Sequence, residues 1–186
     1  MRPRSFKKSR KTRKVILVIC EGETEKNYVE LLKHHYRLPI TIKSKVVGNK
    51  ITKRLIKQYI KELNVESEEE VIIFFMYDMD VEEIVEKLKE LNGTAILSNP
   101  CIELWFLLHH IDQRREISSN ELLKKLTCTT REWKSYIKGD FNSRQSKILL
   151  SHRNHASQRA KMMEWPKNPS TNMHLFLESL ENEKIT

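Results

Sequence analysis

The chain has 186 residues, 39% hydrophobic and 32% charged, and a formal net charge of +9. That length suits one domain with a full hydrophobic core, and no apolar run approaches the about 20 residues that a membrane-crossing helix needs. Cys20, Cys101 and Cys128 are odd in number and lack CxxC spacing, so they read as reduced thiols of a cytoplasmic protein.

Residues 1–13 are basic and almost free of apolar groups, which predicts a disordered tail. With Lys14 they hold eight basic residues and no acid, leaving 26 basic against 25 acidic residues in the rest of the chain. No signal-like apolar stretch ending in small residues follows the tail. The run Val15–Cys20 predicts a strand, Gly22 a turn, and Thr24–Tyr36 a helix that Thr24 can cap. Ile40–Val47 reads as a second, more polar strand, and Ile51–Leu63 as an amphipathic helix. An acidic loop, Glu66–Glu70, precedes a third strand at Val71–Tyr77. A helix over 81–91 ends at Asn92-Gly93, and a short fourth strand spans Thr94–Leu97. Pro100 then opens a helix at Cys101. The strand-helix alternation demands a largely parallel α/β sheet. Strands are expected to cease after residue 112, with helices near 119–127, 143–164 and 170–182 packed on the α/β body as an extension covering 113–186.

Two of these strands end in acid. The first stops at Glu21-Gly22-Glu23-Thr24-Glu25 and the third at Asp78-Met79-Asp80. Both runs are continuously apolar, as in strands buried on both faces of a parallel sheet. Ligands of open α/β sheets bind beyond the carboxyl ends of the strands. Clustered carboxylates repel unless protons or a cation neutralise them, and hard oxygens suit Mg²⁺ or Mn²⁺. In extended backbone Asp78 and Asp80 point to the same side and can converge on one cation, although such a pair can also serve a turn. Glu21 lies at the strand end itself. Glu23 and Glu25 can equally be first-turn glutamates favoured by the helix dipole. Residues 131–169 hold nine Lys or Arg against Glu132, Asp140 and Glu164. An acidic centre flanked by basic surface suits a polyanionic substrate, and Lys26, Lys147, Arg153 and Arg159 are its candidate contacts. His34-His35 and His109-His110 read as surface pairs. Trp105, Trp133 and Trp165 read as core or lid anchors rather than base-stacking platforms, and Ser170 or Thr171 as a cap for the last helix.

The stretch Val18-Ile19-Cys20-Glu21-Gly22, with Glu25 and Asp78-Met79-Asp80, resembles the acidic signature of Toprim domains, found in primases, topoisomerases and OLD-type nucleases. Across residues 14–181 the chain also resembles RloB-like proteins, which carry a Toprim-related core. The stretches that carry this likeness are Cys20–Tyr28, Ser98-Asn99-Pro100-Cys101-Ile102-Glu103-Leu104-Trp105, and Asn168–His174. The resemblance implies a Toprim-like Rossmannoid sheet of about four strands over 14–112. It implies Glu21 as general acid or base, Asp78 and Asp80 as Mg²⁺ ligands, and Glu25 as a further acid of the site. Glu103 falls in the Asn-Pro-x-x-Glu-Leu-Trp segment. A helix opening at Pro100 would project it toward the same sheet edge, as a metal ligand or as a structural cap. The implied activity is metal-dependent cleavage of phosphodiester bonds in RNA, including tRNA, or DNA, within antiphage defence and beside a partner ATPase. No topoisomerase tyrosine domain and no primase zinc module fit in the chain. A non-catalytic module binding nucleic acid or partners is the alternative, and oligomers are compatible with either.

Overall fold

A computed structural model describes residues 14–38, 41–65 and 71–184. The expectations for the basic tail 1–13 and the loop 66–70 fall outside the described residues. Four strands, β1 (Val15–Cys20), β2 (Thr41–Val46), β3 (Val71–Asp78) and β4 (Thr94–Asn99), run parallel, in the spatial order β2-β1-β3-β4. All six residues of β1 are buried, which is why its sequence shows no polar alternation. Ile16, Val18 and Cys20 point into one apolar layer, and Leu17 and Ile19 into the other, as the two-residue period of a strand requires. At the sheet edge, β2 keeps Thr41, Lys43 and Val46 exposed, and such lysines discourage edge-to-edge pairing.

The helices α1 (Glu23–Tyr36), α2 (Lys53–Glu62) and α3 (Glu82–Lys89) connect these strands. The apolar faces of α2 and α3 cover one side of the sheet, through Ile56, Ile60, Ile84, Val85 and Leu88. The other side is covered by α1, α4 (Glu103–Leu108), α5 (Ser119–Thr129), α6 (Ser143–Ser151), α7 (Arg153–Lys161) and α8 (Met173–Lys184). One continuous apolar cluster runs from Ile16 in β1 to Leu180 in α8, so the later helices share the core of the sheet.

The structure differs from the sequence expectations at several places. A fifth strand, β5 (Ser170–Thr171), pairs antiparallel with Asn99 and Ser98 of β4, where a helix cap was expected. The Asn172 side chain extends this ladder, accepting from Leu97 N at 2.7 Å and donating to Ala95 O at 2.9 Å. The expected helix 143–164 divides at His152, which lies outside both α6 and α7. Gly22, not Thr24, is the N-cap of α1, while Thr24 is buried within it. Pro100 precedes α4 by three residues instead of opening it, because α4 begins at Glu103.

Asn92-Gly93 was expected to serve as the end of the preceding helix. A Cβ on Gly93 would lie 2.6 Å from Phe75 Cε2 and 3.0 Å from the Ile73 carbonyl oxygen, so the glycine serves close approach to β3. Gly93→Ala is therefore expected to lower unfolding free energy by about 1–3 kcal/mol, through overpacking against a buried ring. Chemical denaturation would check this, and an unchanged midpoint would show that the Phe75 ring yields without cost.

Candidate metal and catalytic site

The carboxyl ends of β1 and β3 lie side by side, with Cys20 in register with Met76. Glu21 N donates to Met76 O at 3.0 Å, and Glu21 Oε2 accepts the Asp78 backbone N–H at 2.8 Å. The first acid is thus tied to the strand end that carries the second. Asp78 Oδ1 in turn accepts the N–H of Ile102 at 2.8 Å, which holds the lead-in to α4 against β3. Glu25, in the first turn of α1, folds back so that Oε2 accepts the Gly22 N–H at 2.8 Å. Gly22 has extended backbone, and what it must supply is room, since a Cβ would lie 3.2 Å from that oxygen. Glu103 is only 1% exposed; its Oε1 accepts from the Tyr136 hydroxyl at 3.1 Å and lies 3.6 Å from Lys138 Nζ. Its other oxygen, Oε2, is buried with no hydrogen-bond partner.

Four chain segments therefore deliver Glu21, Glu25, Asp78 and Glu103 to one sheet edge, where they repel one another. Burial pushes the Asp78 carboxyl up to about 9, and the charges of Glu25, Glu21 and Glu103 add to that rise against the Ile102 N–H. Burial raises Glu25 to about 7, opposed by backbone N–H groups and reinforced by Glu21 and Glu103. Glu21 is raised by burial and by Asp80, while the Asp78 N–H and Lys138 pull it down. Lys138 loses some basicity to burial, yet Glu103, Cys101 and Asp78 hold it above the ordinary lysine value.

This donor set fits a hard dication in chemistry: all oxygens, negative charge that Lys138 offsets only in part, and an orphaned buried oxygen on Glu103. It is not grouped as a ready-made ligand cage. Among the described residues, no three His, Cys, Asp or Glu side chains are placed to hold one ion together. Glu21, Glu25 and Asp78 each commit one oxygen to a backbone N–H.

Asp80 departs from its expected place. Extended backbone stops at Asp78, residues 79–80 bend, and Asp80 is exposed, so alternation does not align the two aspartates. Its charge still reaches Glu21. Among the basic candidates, Lys26 stands near the site on α1, ion-paired with Glu23 at 3.0 Å. Arg153 lies at the far end of α1, over the Tyr36 ring and 3.9 Å from Glu181, about 20 Å along a 14-residue helix from the acids. Lys147 lines a surface groove with Arg153. Arg159 donates to Leu108 O at the end of α4, where it braces α7. The structure thus brings the four acids together and leaves Lys147, Arg153 and Arg159 away from them.

His34 and His35 are exposed as expected, but His109 is only 2% exposed, with its two ring nitrogens on the carbonyls of Trp105 and Leu149. Burial lowers it to about 3, so it is a neutral core residue whose single N–H donates to one of these two carbonyls. His110 is half-buried and accepts from Trp133 Nε1 at 2.7 Å. Trp105 and Trp133 are core residues, whereas Trp165 is 46% exposed. The sequence reading missed Tyr136 and Lys138. Their only signal was membership of the basic stretch, and nothing there marked them as neighbours of Glu103.

A family model described as RloB-like protein matches residues 16–180. The chain belongs to the RloB-like protein family. Searches of curated proteins and of solved structures return no significant match. In this RloB-like protein the matched span takes in all four clustered carboxylates, both residues over Glu103, and β5. Among the described residues, no helix is long and apolar enough to cross a membrane.

The raised carboxyls set a pH dependence. A folded-state pKa above the unfolded value favours the protonated form, so the stabilisation is full below about pH 4 and lost as pH rises through 7 and then 9. In EDTA, the thermal midpoint is expected to fall between pH 5 and 9. Asp78→Asn keeps an acceptor for the Ile102 N–H and should flatten that fall. Equal slopes in the two proteins would remove Asp78 as its source.

Proposed function

We propose that this RloB-like protein is a metal-dependent nuclease that cleaves phosphodiester bonds, with RNA, including tRNA, or DNA as substrate. The observation that carries this reading is the concentration of Glu21, Glu25, Asp78 and Glu103 at the carboxyl edge of a parallel sheet, buried and mutually repelling, with the Lys138 ammonium offsetting only part of their charge. Asp78 and Glu103 would hold a Mg²⁺ or Mn²⁺ ion, with Glu25 and Asp80 as neighbouring acids. When bound, such an ion polarises a phosphoryl oxygen and acidifies a coordinated water. Glu21 is fixed by its bond to the Asp78 N–H, and its raised pKa suits it to accept and return the proton of the attacking water. Lys138 is more than half exposed at the mouth, where its ammonium can meet an incoming phosphate and relieve Glu103. Lys26 supplies a second cation at the rim. With the basic residues of the tail, such contacts to the backbone would give salt-sensitive affinity with little sequence preference. The family supports a role as a toxic effector in antiphage defence, held silent until a partner such as an ATPase releases it.

A second reading, a non-catalytic module that binds nucleic acid or a partner, draws on one specific observation. The three carboxylates bonded to backbone N–H groups act as local braces without any metal.

The discriminating assay incubates purified protein with tRNA, other RNA and DNA, each in Mg²⁺, Mn²⁺ or EDTA. Cleavage should require the metal and vanish in Asp78→Ala, while Glu21→Gln should slow it by about 10²–10⁴-fold. Binding without cleavage, indifferent to EDTA, would decide for the module. Glu103→Gln should cost about tenfold or more in rate, with weaker metal dependence. Wild-type rates in that variant would take Glu103 out of the site.

A further inference from the structure

The segment Asn168–His174, singled out in the sequence, has no part in the acidic site, yet it is built with care on the sheet's other flank. Asn168 clamps Ile117, accepting from its N–H at 3.1 Å and donating to its carbonyl at 3.0 Å. Asn172 does the same to β4 through Leu97 and Ala95, and Asn99 holds the Pro166 carbonyl at 3.0 Å. These bonds fix the loop carrying Trp165 beside a cleft of about 280 Å³, lined by Met163, Trp165, Ser170, His174 and Leu175, with Lys161 at its rim.

Three features of this cleft ask for a ligand. Trp165 is 46% exposed and Leu175 40%, and together they present apolar surface at its walls. Ser170 is 1% exposed and its hydroxyl has no hydrogen-bond partner. His174 Nδ1 is likewise buried and unpartnered. Leaving a buried polar atom unpaired costs about 1–3 kcal/mol, so two in one cleft need an explanation. An aromatic face flanked by unspent donors and acceptors is the recognition chemistry of an unpaired base. The remaining polar groups are committed: Thr171 Oγ1 to Ser98, Leu97 and the Met173 N–H, and Lys161 to Glu178 at 2.6 Å. The cleft sits at the start of α8, whose positive dipole end favours an attached phosphate. Thr171 pairs with Ser98 and Ser98 with Asp78, so β5 lies two strand spacings, about 10 Å, across the sheet from Asp78.

We propose that the Trp165–Ser170–His174 cleft binds a single unpaired nucleobase, stacked on the Trp165 indole with its polar edge turned to Ser170 Oγ and His174 Nδ1. As a base of the substrate strand, resting on the nuclease reading above, it would fix the register of the scissile phosphate and restrict cleavage to single-stranded or flipped-out nucleotides. The same chemistry would accept a free nucleotide, and the two sources separate by experiment.

Trp105 and Trp133 are fully buried, so Trp165 dominates the quenchable indole fluorescence. The full chain in EDTA is titrated with the four nucleoside monophosphates, with short ribo- and deoxyribo-oligonucleotides, and with an abasic oligonucleotide. Saturable quenching by an oligonucleotide is expected, absent in Trp165→Ala and with the abasic strand. Affinity measured by anisotropy should fall about tenfold or more in Trp165→Ala. Ser170→Ala removes an unpartnered hydroxyl without loss of fold and should weaken binding about threefold to tenfold. Monophosphates that bind as tightly as oligonucleotides would assign the cleft to a free nucleotide; binding that needs a strand would assign it to the substrate. No saturable quenching by any of them, or equal binding of the abasic strand, would overturn the proposal. Because the readout is binding without metal, a failure of cleavage in the earlier assay leaves this result intact, and the reverse also holds.

Discussion

Four carboxylates crowded at one sheet edge are the constraint from which the rest of this structure can be understood. Removing a charge from water is expensive, and placing like charges together adds to the expense. The fold meets this with backbone dipoles: the N–H groups of Asp78, Gly22 and Ile102 each face one acid. Those bonds do two things at once. They lower the energy of the ionised acids, and they tie β1, α1, β3 and the entry to α4 into a single rigid rim. Glu103 is almost fully buried, with the Tyr136 hydroxyl and the Lys138 ammonium on one oxygen and no hydrogen-bond partner on the other. The remaining imbalance is what a cation would relieve.

The sheet itself is ordinary, but its layers are unequal in a way that bears on function. Among the described residues, two amphipathic helices suffice on one face, whereas six cover the other. The thicker layer contributes Tyr136 and Lys138 to the acidic mouth, and its last segments contribute β5 and the Trp165 loop to the flank. Residues after 112 therefore do more than cover apolar surface. They close the sheet's β4 edge with a short antiparallel strand and set polar groups on both sides of the strand ends. The division into a core and an extension is one of sequence order, since a single apolar cluster joins both.

The order of strands and helices was readable because it rests on local patterns. A continuously apolar β1 and β3 ending in acid could hardly be anything but central parallel strands, and the structure keeps their ends within a residue of the expected ones. The misreadings share one cause. Gly93, Thr24, Pro100 and Ser170–Thr171 were assigned their commonest local roles as caps and turn residues. Gly93 is spent instead on Phe75, Thr24 is buried inside α1, and β5 follows from contact with a strand some 70 residues earlier. His109 reads as surface beside His110, yet its ring is held by a carbonyl 40 residues away.

By itself the sequence determined the parallel α/β class, the acid-tipped strands and the candidacy of Glu21 and Asp78, because strand burial and the chemistry of carboxylates leave their mark within a few residues; the resemblance to RloB-like proteins added Glu25 and Glu103. Only the tertiary structure decided that Asp80 stands apart and exposed, that Lys138 and Tyr136 reach Glu103, and that Arg153 and Arg159 brace helices away from the acids. It alone assembled Trp165, Ser170 and His174 around one cleft. Those outcomes depend on which segments pack together, and packing between distant segments leaves no periodic trace along a single chain.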